Sequence, residues 1–299
     1  MAHGGEIAAL ATAACWTVTS LAFESAGRRV GSLPVNIIRL ALALVLLTAF
    51  GAVARGRPLP VDAGARAWLW LGLSGLVGFS VGDLCLFRAF VLMGARLAML
   101  FMSLVPPLVA LIGWAVLGER LGTADVLGLI LTVGGVTWVV SERGPRDGGS
   151  VPGRRPRIAG VLLGLGAAAG QAVGLVLSKY GMGDYHPFAA TQIRVIAGLA
   201  GFALLFTTLG WWPRVWAALG DRVAMARTAL GAVFGPFLGV SLSLLAVQRT
   251  QAGVASAIMS IVPVLIILPS VLLFRERVTA RAVMGAALAV GGVAVLFLA

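Results

Sequence analysis

The chain has little of what reactive centres are built from: two cysteines, two histidines and one lysine among 299 residues. Cys15 and Cys85 both fall inside apolar runs and read as small packing residues, while His3 sits near the N-terminus and His186 beside Pro187. A metal or redox centre needs more ligands at closer spacing, so no metal and no cofactor is expected. His-Glu-x-x-His, a Walker A loop and paired carboxylates within one apolar run are also missing. An intramembrane zinc hydrolase and an ATP-driven pump therefore have no motif to stand on. Charge is equally scarce. Only 11% of residues are charged and 60% are hydrophobic, with mean hydropathy +1.00, whereas soluble chains run at about 25% charged and about 45–50% apolar. A soluble domain cannot hide that much apolar surface.

Acidic residues are the rarer charge, 11 against 23 basic, which leaves a net +12. In a soluble chain that balance suggests nucleic acid. Here the arginines gather in short gaps between apolar runs, where they orient spans against lipid head groups. The expected partner is the bilayer, and nucleic acid is excluded. The N-terminus, MAHGGEIAAL, carries Glu6 and no Lys/Arg-rich region, so the first apolar run reads as a retained span and not as a signal peptide.

What the chain does have is apolar length. Runs that can cross about 30 Å of hydrocarbon fall at roughly 6–23, 33–53, 67–90, 96–117, 124–140, 158–178, 187–209, 227–247, 252–273 and 280–298. One segment occurs twice: MGARLAMLFMSLVPPLVALIGWAVLGERL at 93–121 and TQAGVASAIMSIVPVLIILPSVLLFRERV at 250–278. At a constant separation of 157 residues Ala98 matches Ala255, Met102 matches Met259, Ser103 matches Ser260, Pro106 matches Pro263 and Glu119-Arg120 matches Glu276-Arg277. Proline inside a span frees carbonyls that lipid cannot satisfy. The fourth and ninth helices are thus predicted to bend at Pro106, Pro107 and Pro263 and to face a cavity. The two Glu-Arg pairs read as interfacial anchors, with a gating latch as the sharper alternative.

The segment 141–157, SERGPRDGGSVPGRRPR, is the evident linker between a first repeat at 1–140 and a second at 158–299. Arg39 and Gly82 of the first answer Arg194 and Gly239 of the second. Five spans per copy force the second copy to enter the membrane from the other side. The fold expected is an all-α polytopic membrane protein, ten transmembrane helices in two inverted five-helix repeats. More arginines fall on the linker side, which by the positive-inside rule places the linker in the cytoplasm and both termini outside. Gly160/Gly164 and the series Gly166, Gly170, Gly174 each recur at four-residue intervals in the sixth span and predict close helix packing.

A charge among lipid tails needs water, a partner or a function. Asp83, deep in the third span beside Gly78 and Gly82, has Val240 as its counterpart. It reads either as a proton-coupling carboxylate or as an ion-pair partner of Arg88 or Arg39. Arg39 and Arg194 either snorkel to head groups or grip a substrate carboxylate or phosphate. Trp16 and Gln171 occupy near-equivalent places and offer a flat apolar face and an amide suited to a zwitterionic or amphipathic solute. Gln192, Thr17, Thr19, Ser241, Ser243 and Gln248 are weaker site candidates. Lys179 and Tyr180 read mainly as interfacial anchors, and Met99, Met102 and Met259 mainly as packing.

The paired S-x-V-P…E-R-L/V patterns, each followed by a Gly-rich short span, resemble the paired EamA domains of the drug/metabolite transporter superfamily. The resemblance covers nearly the whole chain. It implies a bundle, monomeric or at most a weak homodimer, whose copies enclose a central cavity and export small metabolites, often amino acids or related compounds. It also implies cytoplasmic termini in many members, against the arginine count. The expected setting is the bacterial inner membrane. A proton-linked or potential-driven exporter leads. Exchange of phosphorylated or nucleotide-linked metabolites, with Arg39, Arg194 and Lys179 as phosphate ligands, is the alternative within transport. A non-transporting scaffold or an intramembrane enzyme is the alternative outside it.

Overall fold

Two stacks of helices, broken at matching places, make up the computed structural model, which describes residues 4–117, 122–141, 154–249, 255, 258–274 and 278–298. The first copy comprises α1 (Gly4–Val30), α2 (Ser32–Arg55), α3 (Ala65–Gly75), a π-helical segment (Leu76–Gly82), α4 (Asp83–Met93), α5 (Ala95–Met102), α6 (Val105–Leu117) and α7 (Thr123–Ser141). The second comprises α8 (Arg154–Met182), α9 (Pro187–Thr208), α10 (Trp212–Leu219), α11 (Arg222–Ala232), a π-helical segment (Val233–Gly239), α12 (Val240–Arg249), α13 (Val262–Leu265), α14 (Ile267–Phe274) and α15 (Ala280–Leu298). Among the described residues no strand occurs.

Among the described residues seven stretches are long and apolar enough to cross a membrane: Gly4–Val30, Ser32–Arg55, Ala65–Met93, Ala95–Ile112, Ile158–Met182, Pro187–Thr208 and Arg222–Arg249. Three shorter apolar stretches, Val126–Val139, Val262–Leu272 and Ala280–Val295, lie where the fifth, ninth and tenth spans were expected. The first helix runs on past residue 23 to Val30 because Glu24, although charged, is buried and satisfied. Its carboxylate accepts from Arg28 at 2.6 Å and from the backbone amide of Ala95 at 2.8 Å. Helix α10 was not expected. It is a short amphipathic turn with Val215 and Ala218 buried and Trp216 exposed. The linker is described only at its ends, Ser141 closing α7 and Arg154 opening α8. Glu119, Arg120, Glu276 and Arg277 lie outside the described residues.

The repeat written in the sequence is also written in the backbone. The two π-helical segments, α3 and α11, α4 and α12, and α7 and α15 each begin 157 residues apart. Equivalent helices meet head to tail. A Cβ built on Gly135 of α7 would lie 2.6 Å from the Ala289 amide of α15, and one on Gly292 would lie 2.5 Å from the Thr132 amide. Arg281, opening α15, donates to the Trp138 carbonyl near the end of α7 at 3.1 Å. High numbers on one helix therefore meet low numbers on the other, so α7 and α15 run antiparallel.

The copies also exchange partners. Helix α8 runs against α3, the π segment and α4: Gly170 packs on Gly82, Gly174 on Gly78, and Ser178 hydrogen-bonds Ser74 at 2.7 Å. Helix α1 does the same against the second copy, with Trp16 on Gly239, Thr19 on Gly235 and Phe23 on Gly231. The glycine face expected in the sixth span is thus a packing face, with Gly160 and Gly164 meeting Met93 and Phe101. These contacts set the two ends of the bundle. Arg29 pairs with Asp221 at 2.9 Å at one end, and Asp62 takes Arg55 at 2.7 Å and the Tyr185 hydroxyl at 2.9 Å at the other.

Between α4 and α5 the chain turns at Gly94, with φ 84° and ψ 158°. Only glycine adopts that conformation readily, and a side chain there costs about 1–3 kcal/mol. The turn also presents the Ala95 amide to Glu24. Gly94→Ala is expected to lower the unfolding temperature of detergent-solubilised protein. Gly64→Ala, at φ −67° with open space around it, is expected to leave that temperature unchanged.

Candidate functional site

A cavity opens where the copies meet, enclosing about 1130 Å³ when its open mouth is counted. Both copies line it with the same positions. Met102, Ser103, Val105 and Pro106 come from the break between α5 and α6, and Met259, Ser260, Val262 and Pro263 from the corresponding break before α13. The bends expected at the prolines are present. Helix α5 ends at Met102 and α6 starts at Val105, while α13 spans only Val262–Leu265. Pro106 and Pro263 supply no backbone N–H, so the helix ladder is already open there.

The π-helical segments flank the cavity from the other side. In the first, the Asp83 amide bonds back to the Gly78 carbonyl, five residues away, so the helix is widened by one residue per turn. Phe79 of this segment and Asp83, which opens α4, line the cavity, and Gly235 and Pro236 of the second segment with Val240, which opens α12, occupy matching ground. Trp16, Thr19, Ser20 and Phe23 of α1 and Gln171 and Leu175 of α8 complete this side.

Charge enters the wall from three side chains, Arg39, Asp83 and Arg194, each at most 4% exposed. Asp83 is fully engaged. Arg39 Nη2 donates to its Oδ2, Gln171 Nε2 donates to its Oδ1 at 2.6 Å, and Asn36 Nδ2 donates to its backbone carbonyl at 3.2 Å. Asn36 Oδ1 in turn accepts from Arg39 Nε at 3.2 Å, fixing the guanidinium. The Arg39 head lies 4.5 Å from the Phe87 ring centre, 5.5 Å from Phe23 and 5.6 Å from Phe79, so its charge is balanced by one carboxylate and three aromatic faces.

Arg194 occupies the equivalent place in the second copy without the equivalent partner. Where the first copy has Asp83 the second has Val240. Its guanidinium lies 4.9 Å from the Phe79 ring centre, and its buried Nε has no hydrogen-bond partner. Gly78 leaves the room for it: a Cβ there would sit 3.3 Å from Arg194 Nη2 and 4.0 Å from Gln171 Oε1. Ser103 Oγ, also in the wall, is a second buried polar atom without a partner.

Of the seven residues singled out from sequence, the cavity gathers Trp16, Arg39, Asp83, Gln171 and Arg194. Arg88 does not join them. It is exposed on α4, and Asp83 pairs with Arg39 instead. Gln192 is buried elsewhere, donating to Thr48 Oγ1 at 3.1 Å and to the Pro58 carbonyl at 2.8 Å, and ties α9 to the end of α2. Lys179 is exposed at the end of α8, so the three cations expected to share a phosphate do not meet. Among the weaker candidates Thr19 and Ser243 line the cavity, whereas Thr17 bonds the Ala13 carbonyl and Gln248 ties down the carbonyls of Gly183 and Tyr185. Met99, Met102 and Met259 pack in the apolar core as expected and also border the cavity. Sequence reasoning missed Asn36 and Glu24. An asparagine three residues before an intramembrane arginine was the available signal for the first.

Two matching helical copies around a partly charged cavity, with apolar helices long enough to span lipid, define an integral membrane protein built for a small solute. The model of the EamA-like transporter family matches residues 3–141 and again 158–298. The chain belongs to the EamA-like transporter family, and thus to the drug/metabolite type of membrane transporter. A solved structure described only as the crystal structure of a protein shares the fold, with a TM-score of 0.64 and 21% identity, covering 100% of this chain and 98% of that one. No curated protein matches the chain.

Proposed function

We propose that the protein is a secondary transporter that exports small organic metabolites from the bacterial cytoplasm, across the inner membrane, by alternating access of this cavity. The observation that carries the reading is the pair of symmetry-related proline breaks facing one chamber between antiparallel copies. Broken helices at a repeat interface place freed backbone groups where a solute binds, and a two-fold arrangement allows each copy to close one side in turn. On this reading the three shorter apolar helices also cross, giving ten spans in two inverted sets of five. Amino acids and related compounds are the class that the family resemblance implies. Asp83, with both oxygens engaged, serves the ion pair with Arg39 in preference to proton coupling.

Purified protein in proteoliposomes, assayed by counterflow across amino acids, organic acids, bases and sugar phosphates, tests this. Saturable uptake of at least one class is expected. Met102→Trp, which fills the chamber from its wall, should lower uptake at least about tenfold, equivalent to about 1.4 kcal/mol. Arg88→Ala, on the outer surface, should transport at the rate of the unaltered protein. Absence of saturable uptake across the panel, or full activity in Met102→Trp, would exclude the cavity as the route.

A further inference from the structure

We infer that the cavity selects amphipathic monoanions, an apolar body bearing one carboxylate or comparable acidic group and no ammonium, and that Arg194 is the residue that binds the acid. The inference rests on the cavity being the solute site and departs from the amino-acid class that the family resemblance implies, in favour of acids that lack an amine. Among the described lining residues two guanidiniums face one carboxylate. A guanidinium keeps its charge at neutral pH, so the wall carries one cation in excess.

The excess is localised. Arg39 is held by Asp83 and Asn36, whereas Arg194 feels Asp83 only at longer range, makes no ion pair within 4 Å among the described residues and leaves a buried Nε without an acceptor. A buried charged donor without an acceptor is costly unless a ligand completes it. A guanidinium fork suits a carboxylate, and Ser103 Oγ is a further unpartnered polar atom in the same wall.

For an ammonium group the described lining residues hold no free carboxylate, only the backbone carbonyls at the helix breaks. Asp83 is the only carboxylate among the described lining residues, and its oxygens are taken by Arg39 and Gln171. A zwitterion would have to break that network to pair its amine with a carboxylate, while a cation would also meet the excess positive charge. The remainder of the wall suits a flat apolar body: Phe23, Phe79, Phe87, Phe90 and Trp16 surround the chamber.

Indole-3-acetate, tryptophan and tryptamine share a ring system and differ in charge. Calorimetric titration of each into the full-length protein in detergent should show indole-3-acetate binding at least about tenfold more tightly than either amine, a difference of about 1.4 kcal/mol. Arg194→Gln should lose that preference, and Arg194→Lys should retain part of it, since it keeps the charge without the fork. Tighter binding of tryptophan or tryptamine by the unaltered protein would overturn the inference, even if Arg194→Gln proved unstable. So would unchanged indole-3-acetate affinity in Arg194→Gln, or no binding of indole-3-acetate at all. Counterflow in proteoliposomes separates the two readings. A solute that moves independently of Arg194 sinks the selectivity and spares the transporter. Arg194-dependent binding without movement of any solute sinks the transporter and spares the selectivity.

Discussion

Asp83→Ala is expected to cost about 3–5 kcal/mol of folding stability, because it strands the Arg39 cation in the bundle with its partner gone. The same loss is expected of Arg39→Ala, which strands Asp83. The double variant Arg39→Met/Asp83→Leu removes both charges together and should lose far less than the sum of the single changes, since an apolar pair of similar volume needs no counterion. Arg194 should behave in the opposite sense. Having no ion-pair partner to strand, Arg194→Met should leave stability unchanged or raised. Denaturation of the purified protein in detergent reads all four. Equal destabilisation by Asp83→Ala and Arg194→Met would show that the two guanidiniums are not differently held, and the distinction drawn between the copies would fail.

Gly170→Leu should be as damaging by a different route. A Cβ at Gly170 already falls 2.7 Å from the Gly82 Cα and 3.1 Å from its amide. The obstacle is backbone, which has no rotamer to move aside. Overpacking by single methylenes costs about 1–3 kcal/mol in cores that can adjust; a four-carbon side chain against a helix backbone should exceed that. The site should suffer with the fold, because parting α8 from α4 draws Gln171 away from Asp83. Gly134→Leu, at a position with nothing within 4 Å, is the matched control and should be close to neutral. A Gly170→Leu protein that melts with the unaltered one would show that these helices are not in backbone contact.

The duplication was legible because a repeat with a fixed offset needs only residue identities. Pro106 and Pro263 announced breaks because proline's missing N–H acts whatever surrounds it. The π-helical segments left no such trace, since shifting one turn of hydrogen bonds disturbs apolar periodicity by a single residue. Only Pro236 sits within either segment, and its counterpart is Phe79. Choosing Arg39 over Arg88 as the partner of Asp83 was within reach of helix geometry: five residues turn the side chain about 140° round the axis, away from the cavity face. Gln192 and Arg194, two residues apart, likewise point about 160° from one another and cannot both face the chamber. Glu24 was legible only in part. Its pair with Arg28 follows from four-residue helical spacing, but its other partner is an amide 71 residues away, exposed only because Gly94 turns the chain there, and no local pattern encodes that meeting.

If one chamber bounded by two inverted copies opens alternately to the two faces of the membrane, equivalent positions in its wall are reached from both sides. Ser103 and Ser260 are equivalent wall positions in the two copies, so each can be replaced singly by cysteine in a Cys15→Ala/Cys85→Ala background and reconstituted. A membrane-impermeant thiol reagent is then applied from the outside or enclosed within the vesicles. Both cysteines should react from either side in turn, and a transported solute should slow the labelling of both. Labelling of the two positions from one face only, whatever the solute or gradient, would contradict the account.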